Sequence, residues 1–329
     1  MNLFDFIVEE LYAILPLQGI IDLVRSGDYS SLRTWDGITR AIGPLVPFIL
    51  LLELGLAFFH RRIGLAEYKI PFLIYVFNRT VGKFISFGVV AFCIGWLSPF
   101  RLLEADFAWY GFLYGYVVWE FAHFIYHFLA HKVRLFWCLH STHHAPEQMN
   151  LSVSYAHFLL EGPYADFIRT SVCILLGVPP EMLFAIMFID GTWGMFIHIG
   201  ERVMKNARLG WLGNLILTPS HHRVHHARNP LYMDTNFCNL LNIWDRIFRT
   251  YQPEKDTIQV EYGITRPIRS NNFLDVYFGE WYYLAYDVWH APGVLNKFMY
   301  LVMPPGWHHE GQHKTAAAMR QQWLSENPS

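Results

Sequence analysis

The chain has 329 residues, of which 53% are hydrophobic and 17% aromatic, and only 16% are charged. An ordinary soluble domain carries roughly 25% charged residues, so this balance is typical of a membrane protein. A formal net charge of −2, with no basic run and no base-stacking motif, sets nucleic acid aside as a partner. The four cysteines lie far apart and form no C-x-x-C pair, which disfavours a disulfide framework or an iron–sulfur site.

The N-terminal region, residues 1–75, predicts an interfacial helix followed by a first membrane segment. Residues 1–44 begin with an apolar stripe at helical spacing that also carries acidic residues, which favours an amphipathic helix over a signal peptide. Residues 41–59 are about long enough to cross a bilayer and are interrupted only by Glu53.

Two further apolar segments follow, at about 84–99 and 107–132, and the basic residues between them set the orientation. Arginine and lysine cluster in the 60–83 loop, whereas Arg101 alone is basic in the short link before the third segment. By the positive-inside rule the 60–83 loop is cytosolic, so the third segment returns to the cytosol.

A shorter hairpin is predicted over residues 164–199. Its two apolar arms, 164–178 and 181–199, are separated by Pro179-Pro180, which cannot continue a helix. Because the arms go out and back, His198 also lies on the cytosolic side.

Three motifs place histidines at the spacing of metal ligands. HFLAH puts His127 and His131 one helical turn apart, so both can bind one ion. HSTHH and HRVHH repeat an i, i+3, i+4 arrangement. With His198 the motifs supply nine imidazoles: His127, His131, His140, His143, His144, His198, His222, His225 and His226. This number suits two ions with four or five ligands each and an open position.

A structural role or a pH switch explains the histidine motifs less well than metal binding does. Unrelated structural histidines would not repeat one spacing, and a pH switch would need acidic partners that are scarce here. HEGQH at 309–313 matches the H-E-x-x-H zinc-protease motif, but the prolines and glycines around it disfavour the helix that the motif requires. His60, His157 and His290 are predicted to be interfacial or hydrogen-bonded residues.

The histidine motifs and their flanks resemble the three histidine boxes of the fatty acid hydroxylase superfamily, which includes sterol desaturases, lipid hydroxylases and alkylglycerol monooxygenase. The resemblance rests on EFAHFIYHFLAH, FWCLHSTHHAPEQMN and TPSHHRVHHARNPLYMDTNFCNLLNIWDRIFRTY. HHAPEQMNLS and EYGITRPI are most similar to the alkylglycerol monooxygenase branch and its bacterial relatives, and MPPGW to a bacterial C-terminal extension. We therefore expect a catalytic domain over 76–268 and an aromatic-rich C-terminal extension over 269–329, which forms either an interfacial cap or a packed tail.

The resemblance implies a multi-pass membrane enzyme that holds two non-haem iron ions on the nine histidines and uses O₂ to oxidise a C–H bond of a membrane lipid. Iron is chemically coherent because zinc has no accessible redox chemistry. The chain has no dinucleotide or haem motif, so electrons must come from elsewhere. The resemblance implies a cytochrome b5-like or ferredoxin-type partner or, for the alkylglycerol monooxygenase branch, a tetrahydrobiopterin-like reductant. The implied location is the bacterial inner membrane, or the endoplasmic reticulum in a eukaryote, with the site facing the cytosol.

Several positions differ from the usual family residues. Glu120 occupies a position where the family usually has Asp, His123 one where it often has Tyr, and Phe128 one where Arg is common. Cys238 and Arg249 replace residues that are usually glycine. His123 is either a further ligand or, as we favour, a polar residue beside the ligands.

Acidic residues are expected near the histidines, because ligation by imidazole alone leaves two cations without compensating charge. The candidates are Glu120, Glu147, Glu161, Asp190 and Asp234. Glu147 is the best placed in sequence, three residues after the second box. We take Glu147, His143 and His225 as the candidate catalytic residues.

The sequence thus predicts an all-α, multi-pass membrane protein with a cytosolic helical cap around a histidine-rich dimetal site. Hydroxylation is favoured over desaturation, because the Arg-x-His-Pro-x-Glu run of sterol C5-desaturases is missing. The alternatives are a desaturase of the same superfamily or a non-redox membrane protein, either a zinc hydrolase or a metal-binding protein.

The membrane topology can be tested with reporter fusions. Fusions after residues 65, 103 and 145 should report cytosol, exterior and cytosol, because a cluster of basic residues follows the first segment and only Arg101 follows the second. An external signal at residue 145 would contradict a cytosolic site.

Overall fold

The computed structural model describes residues 25–26, 55, 66–81, 85–106 and 108–327. Regular secondary structure in these ranges is helical, and β pairing is limited to isolated bridges that join Ile216 to Leu241 and Ala227 to Tyr262. The all-α prediction is therefore confirmed for this part of the chain. The predicted interfacial helix and the first membrane segment, 41–59, lie outside the described residues except for positions 25, 26 and 55.

The described α-helices are numbered here in chain order. They are α1 Ala66–Val81, α2 Ile85–Leu97, α3 Trp109–Lys132, α4 Arg134–His144, α5 Glu161–Leu175, α6 Pro180–Phe196, α7 Pro219–His225, α8 Ile243–Ile247, α9 Phe273–His290, α10 Gly293–Val302 and α11 Ala316–Glu326. Short 3-10 turns lie at Ser98–Phe100, Leu151–Tyr155 and Gly210–Asn214.

Helix α3 is the centre of the fold, packing against α4, α5, α6 and α8. Its N-terminal half contributes Tyr116 and Trp119 to a core with Ile174 of α5 and Leu183 of α6. Full burial of one such side chain contributes about 1.5–3 kcal/mol. This core leaves the C-terminal half of α3, which carries His127 and His131, to face the segments after it.

Helices α5 and α6 coincide with the two arms of the predicted hairpin. Helix α5 ends at Leu175, Gly177 has a positive φ of 80°, and α6 begins at Pro180. Proline suits the first turn of a helix because no intrahelical partner is available there for its missing N–H.

A helical fold does not by itself show that any helix is long and apolar enough to cross a membrane. Among the described residues, no helix combines the length and the apolarity needed to cross a bilayer.

The C-terminal extension folds as α9, α10 and α11, with α9 packed on α4 and α1. The HEGQH motif lies between α10 and α11 in turns and irregular backbone. His309 and His313 therefore do not lie one helical turn apart, as a zinc-protease motif would require.

Gly177→Ala is expected to destabilise the protein. A Cβ at this position would lie 2.0 Å from the carbonyl oxygen of Leu103, and the residue occupies the left-handed region. The left-handed conformation alone costs a residue with a Cβ about 1–2 kcal/mol, and the clash adds to this. Gly95→Ala, in an open position within α2, is the control and should stabilise the helix by roughly 0.5–1 kcal/mol. Thermal unfolding compares the two variants, and equal melting temperatures would contradict the expectation.

Candidate metal centre

The first two histidine motifs are brought together by a tight link between α3 and α4. Only Val133, with φ −120° and ψ 117°, separates the two helices. The chain therefore turns sharply, and the helices pack against one another. This places the last turns of α3 beside α4, which ends in HSTHH.

The third motif forms the short helix α7, whose start is well defined. Thr218 and His221 form a capping box, and Pro219 occupies the first turn. The buried Arg223 then donates hydrogen bonds to the carbonyl oxygens of Ile199, Met204 and Lys205. These bonds hold α7 against the segment that follows His198.

The nine histidines predicted as ligands are all buried and fall into two groups. The first histidine group is His127, His131, His140, His144 and His225. The second histidine group is His143, His198, His222 and His226. Within each group the candidate ligand nitrogens lie within 4.8 Å of one another.

Oxygen acceptors hold the Nδ1 atoms of four histidines in the first group. The pairs are His127 with Phe237 O at 2.8 Å, His131 with Asp234 Oδ1 at 3.3 Å, His140 with Glu161 Oε1 at 2.5 Å and His225 with Thr235 O at 2.8 Å. A carbonyl or carboxylate oxygen can only accept, so each Nδ1 carries the proton. The Nε2 atoms of these rings, when neutral, are bare lone pairs.

The bare Nε2 atoms converge on one another. The Nε2 atoms of His127 and His140 are 3.1 Å apart, and those of His140 and His144 are 3.0 Å apart. With their Nδ1 atoms protonated, the neutral rings of His127 and His140 have no proton to place between the two Nε2 atoms. The Nε2 atoms of His131 and His225 are buried without any hydrogen-bond partner.

This arrangement fits a bound cation. Two imidazoles that bind one ion at a right angle and about 2.1 Å have nitrogens about 3 Å apart. Without a cation the facing lone pairs repel one another, and buried polar atoms without partners are costly.

The imidazole nitrogens of the second group also converge, but an oxygen acceptor among the described residues holds the Nδ1 proton of only one of its rings, that of His198. His198 Nδ1 donates to the carbonyl oxygen of Gly194 at 2.6 Å. Its Nε2 lies 3.2 Å from that of His143 and 2.9 Å from that of His222, which lies 3.1 Å from that of His226. This group therefore also offers converging imidazole nitrogens.

The loop after α7 supplies the carbonyl groups that orient His225 and His127. Asp234 and Asn236 have φ of 58° and 57°, a conformation that Asp and Asn tolerate better than most residues. Asp245 accepts the backbone N–H groups of Phe237 and Cys238. Glu120 of α3 accepts those of Asn239, Leu240 and Leu241.

Of the predicted acidic residues, Glu161 and Asp234 contact histidines of the first group. Glu161 contacts His140, and Asp234 contacts both His131 and Lys132. Burial raises the pKa of Glu161, but His157 and His140 more than offset this and hold its pKa well below the usual range. Glu161 is therefore an ionised acceptor.

The other acidic candidates lie elsewhere. Glu147 is exposed and accepts a hydrogen bond from Ser270 at 2.9 Å, so its place in sequence does not bring it to the histidines. Glu120 binds backbone N–H groups rather than an imidazole. Asp190 accepts from Asn239, and its Oδ2 lies 3.7 Å from Nδ1 of His123.

Three other histidines lie near the two groups without belonging to them. His221, which directly precedes the third motif, caps α7 and contacts the Tyr251 hydroxyl, so its ring is used outside the two groups. His123 borders the cavity described below, as a polar neighbour of the groups. His157 contacts Glu161 and stacks on His143. No spacing in the sequence pointed to this role of His157.

Burial favours the neutral form of five histidines in the two groups. Burial, followed by the neighbouring imidazoles, lowers the pKa of His143, His144, His222, His225 and His226 well below the usual value. Neutral imidazole is the form that binds a metal.

Two cavities border the histidines. Cavity 1, about 400 Å³, is lined by His127 and His140 of the first group and by His143, His198 and His222 of the second. Cavity 2, about 450 Å³, is lined by histidines of the first group only, His131, His144 and His225. Its other walls include residues of the C-terminal extension such as Tyr283 and Lys314.

Comparison with known proteins assigns the helical domain that carries both groups. Residues 112–250 match the family model for Fatty acid hydroxylase, and this range contains every histidine of the two groups. The chain therefore carries a domain of the fatty acid hydroxylase superfamily.

Among individual proteins, the chain is similar to alkylglycerol monooxygenase from Homo sapiens, with 34% identity over 216 residues, 66% of this chain and 44% of the relative. The Danio rerio alkylglycerol monooxygenase is 34% identical over 210 residues, 63% of this chain and 45% of the relative. Ornithine lipid hydroxylase OlsE from Rhizobium tropici is 25% identical over 151 residues, 46% of this chain and 44% of the relative. The chain thus spans less than half the length of these relatives. No solved structure matches it significantly.

Removing bound metal should lower thermal stability, because the converging lone pairs would then repel one another. At free metal about 100 times the Kd, binding contributes about 2.7 kcal/mol, or roughly 4 °C in melting temperature for a chain of this size. Melting before and after chelation, and again after metal is restored, measures the effect.

Variants connect this effect to the histidine groups. His140→Ala should melt near the chelated protein and respond little to metal. His290→Ala changes an exposed histidine that contacts the Tyr286 carbonyl and should behave as the unaltered chain does. A melting temperature that does not respond to chelation would contradict a metal site.

Proposed function

We propose that this protein is a membrane-embedded, O₂-dependent lipid hydroxylase with a two-iron centre on the two histidine groups. The observation that carries the proposal is the convergence of unprotonated imidazole nitrogens in two adjacent buried groups. The match to the fatty acid hydroxylase family supports iron over zinc, and the named relatives support a lipid substrate. Bound iron would supply the redox chemistry needed to oxidise an unactivated C–H bond with O₂.

The ligands are proposed group by group. The first histidine group holds one ion and the second holds the other, since each offers four or five buried imidazoles. The residues around them keep these rings in position: the carbonyl groups of Phe237, Thr235 and Gly194 each accept an Nδ1 proton. Outer contacts of this kind fix the tautomer, so that Nε2 is the binding atom.

Cavity 1 is the proposed substrate site. It borders histidines of both groups, so a carbon placed there would lie beside the residues proposed to hold each ion. Its volume of about 400 Å³ suits the reacting part of a lipid, and Tyr155, Ala165 and Met195 contribute apolar surface that excludes water. His123 and Asp190 offer polar groups to a substrate with a polar head.

Membrane embedding is proposed from composition and exposure together. Large apolar side chains are exposed on α1 and α2, in the link after α2 and at the start of α3, including Phe72, Phe92, Trp96, Leu102 and Trp109. Such exposed apolar side chains are consistent with contact with lipid, which supports the proposal of membrane embedding. The active site is proposed to lie on the cytosolic side, as the distribution of basic residues favours.

The electron source is proposed to be external. The sequence carries no motif for a dinucleotide, haem or iron–sulfur group, so a cytochrome b5-like or ferredoxin-type protein or a tetrahydrobiopterin-like reductant would supply electrons. An alkyl glycerol or another lipid with a polar head is the proposed substrate class, by similarity to the named relatives.

Labelled oxygen tests the reaction. The protein expressed in membranes with a suitable reductant under ¹⁸O₂ should yield a lipid that carries one labelled oxygen, detected by mass spectrometry, and should contain about two irons per chain. His143→Ala and His225→Ala each remove a proposed ligand and should abolish the product. His290→Ala, on an exposed ring, should retain it.

Two different results would redirect the assignment. A product that has lost two hydrogens and carries no label would indicate a desaturase of the same superfamily. Zinc retained through an activity that consumes no O₂ would indicate the non-redox alternative.

A further inference from the structure

Glu161 is a buried carboxylate with contacts on both oxygens, and its side chain is 2% exposed. Its Oε1 accepts from His140 Nδ1 at 2.5 Å and from the Tyr126 hydroxyl at 2.8 Å. Its Oε2 accepts from His157 Nδ1 at 2.9 Å. A buried carboxylate is stable only when it is paired in this way, so the burial of Glu161 depends on these three partners.

His157 continues this chain of contacts toward the second histidine group. Its ring lies parallel to that of His143, with centroids 4.2 Å apart and 12° between planes. It belongs to neither histidine group. The contacts therefore run from His140 through Glu161 and His157 to His143, and join the two groups by side chains alone.

The surrounding fold holds this link in place. Asn78 of α1 donates to the carbonyl oxygen of His157 at 2.7 Å, and the Tyr277 hydroxyl of α9 donates to Asn78 Oδ1 at 2.6 Å. The C-terminal extension thus supports the segment that carries His157. Glu161 lies in the first turn of α5, where an acidic residue favours the helix without further contacts. That role alone would not require the contacts that hold His157.

Helix α6 provides the comparison. Glu181 also lies in the first turn of its helix, but it is exposed. Both glutamates can favour their helix through its dipole, yet only Glu161 contacts histidines of the site.

We propose that Glu161 and His157 are positioning residues that couple the two metal sites, with Glu161 orienting His140 in the first group and His157 fixing the ring of His143 in the second. This rests on the two-metal part of the proposed function. Outer contacts of metal-binding histidines commonly change metal affinity about 10–100-fold when they are removed.

The test uses the full chain loaded with iron-57, with iron affinity, Mössbauer spectra and melting temperature as readouts. Glu161→Gln keeps the shape of the side chain but removes the charge that accepts two ring N–H groups. His157→Phe keeps an aromatic ring against His143 but removes the bond to Glu161. Glu181→Gln is the matched control, because it makes the same change in the first turn of a helix away from the histidines.

Glu161→Gln should weaken iron binding about 10–100-fold and change the Mössbauer signals of both irons. His157→Phe should mainly change one signal, that of the iron on the second group. The double variant should differ little from Glu161→Gln at that second iron, because both changes break one chain of contacts. Glu181→Gln should retain the affinity and the spectrum.

The outcomes separate this inference from the function on which it rests. A parent protein that binds fewer than about two irons would refute the two-metal proposal before any variant is compared. A parent with both irons, and variants whose spectra and affinities equal those of Glu181→Gln, would overturn the coupling alone. If Glu161→Gln does not fold, His157→Phe decides: an unchanged spectrum overturns the proposal.

Discussion

Unprotonated imidazole nitrogens that face one another in a buried space are the constraint on which this structure depends. The Nε2 atoms of His127 and His140 lie 3.1 Å apart, while both rings donate their Nδ1 protons to outer oxygens. Such an arrangement is stable only with a positive charge between the lone pairs. The helices that meet at this point must therefore be held by contacts strong enough to maintain it.

Those contacts come largely from one loop and two buried carboxylates. Asp245 and Glu120 accept five consecutive backbone N–H groups, those of residues 237–241. The loop is thereby fixed so that the carbonyl groups of Thr235 and Phe237 meet His225 and His127. Backbone strain accompanies this, since Asp234 and Asn236 have positive φ, and such strain is common at functional sites.

The two cavities make the site asymmetric. Histidines of the first group line both cavities, whereas His143, His198 and His222 of the second group line cavity 1 alone. Because the C-terminal extension forms part of the wall of cavity 2, it belongs to the surroundings of the site. The sequence predicted either an interfacial cap or a packed tail for this extension. Its helix α9 packs on α1 and α4, as expected of a packed tail.

The sequence by itself determined which histidines could act together, because spacings of three and four residues place side chains on one helical face. It also determined the helical class and the break at Pro179-Pro180. Arg249, which stands where the family usually has glycine, has a φ of 60°, so even this departure marked a left-handed position.

Only the tertiary structure decided which side chains contact the histidines. Glu147 was favoured because it is near the second box in sequence, yet Glu161 contacts His140, and His221 is turned away by its capping role. The partition of the nine histidines into two groups, and the carbonyl groups that orient them, depend on how distant segments pack, and no local spacing encodes that.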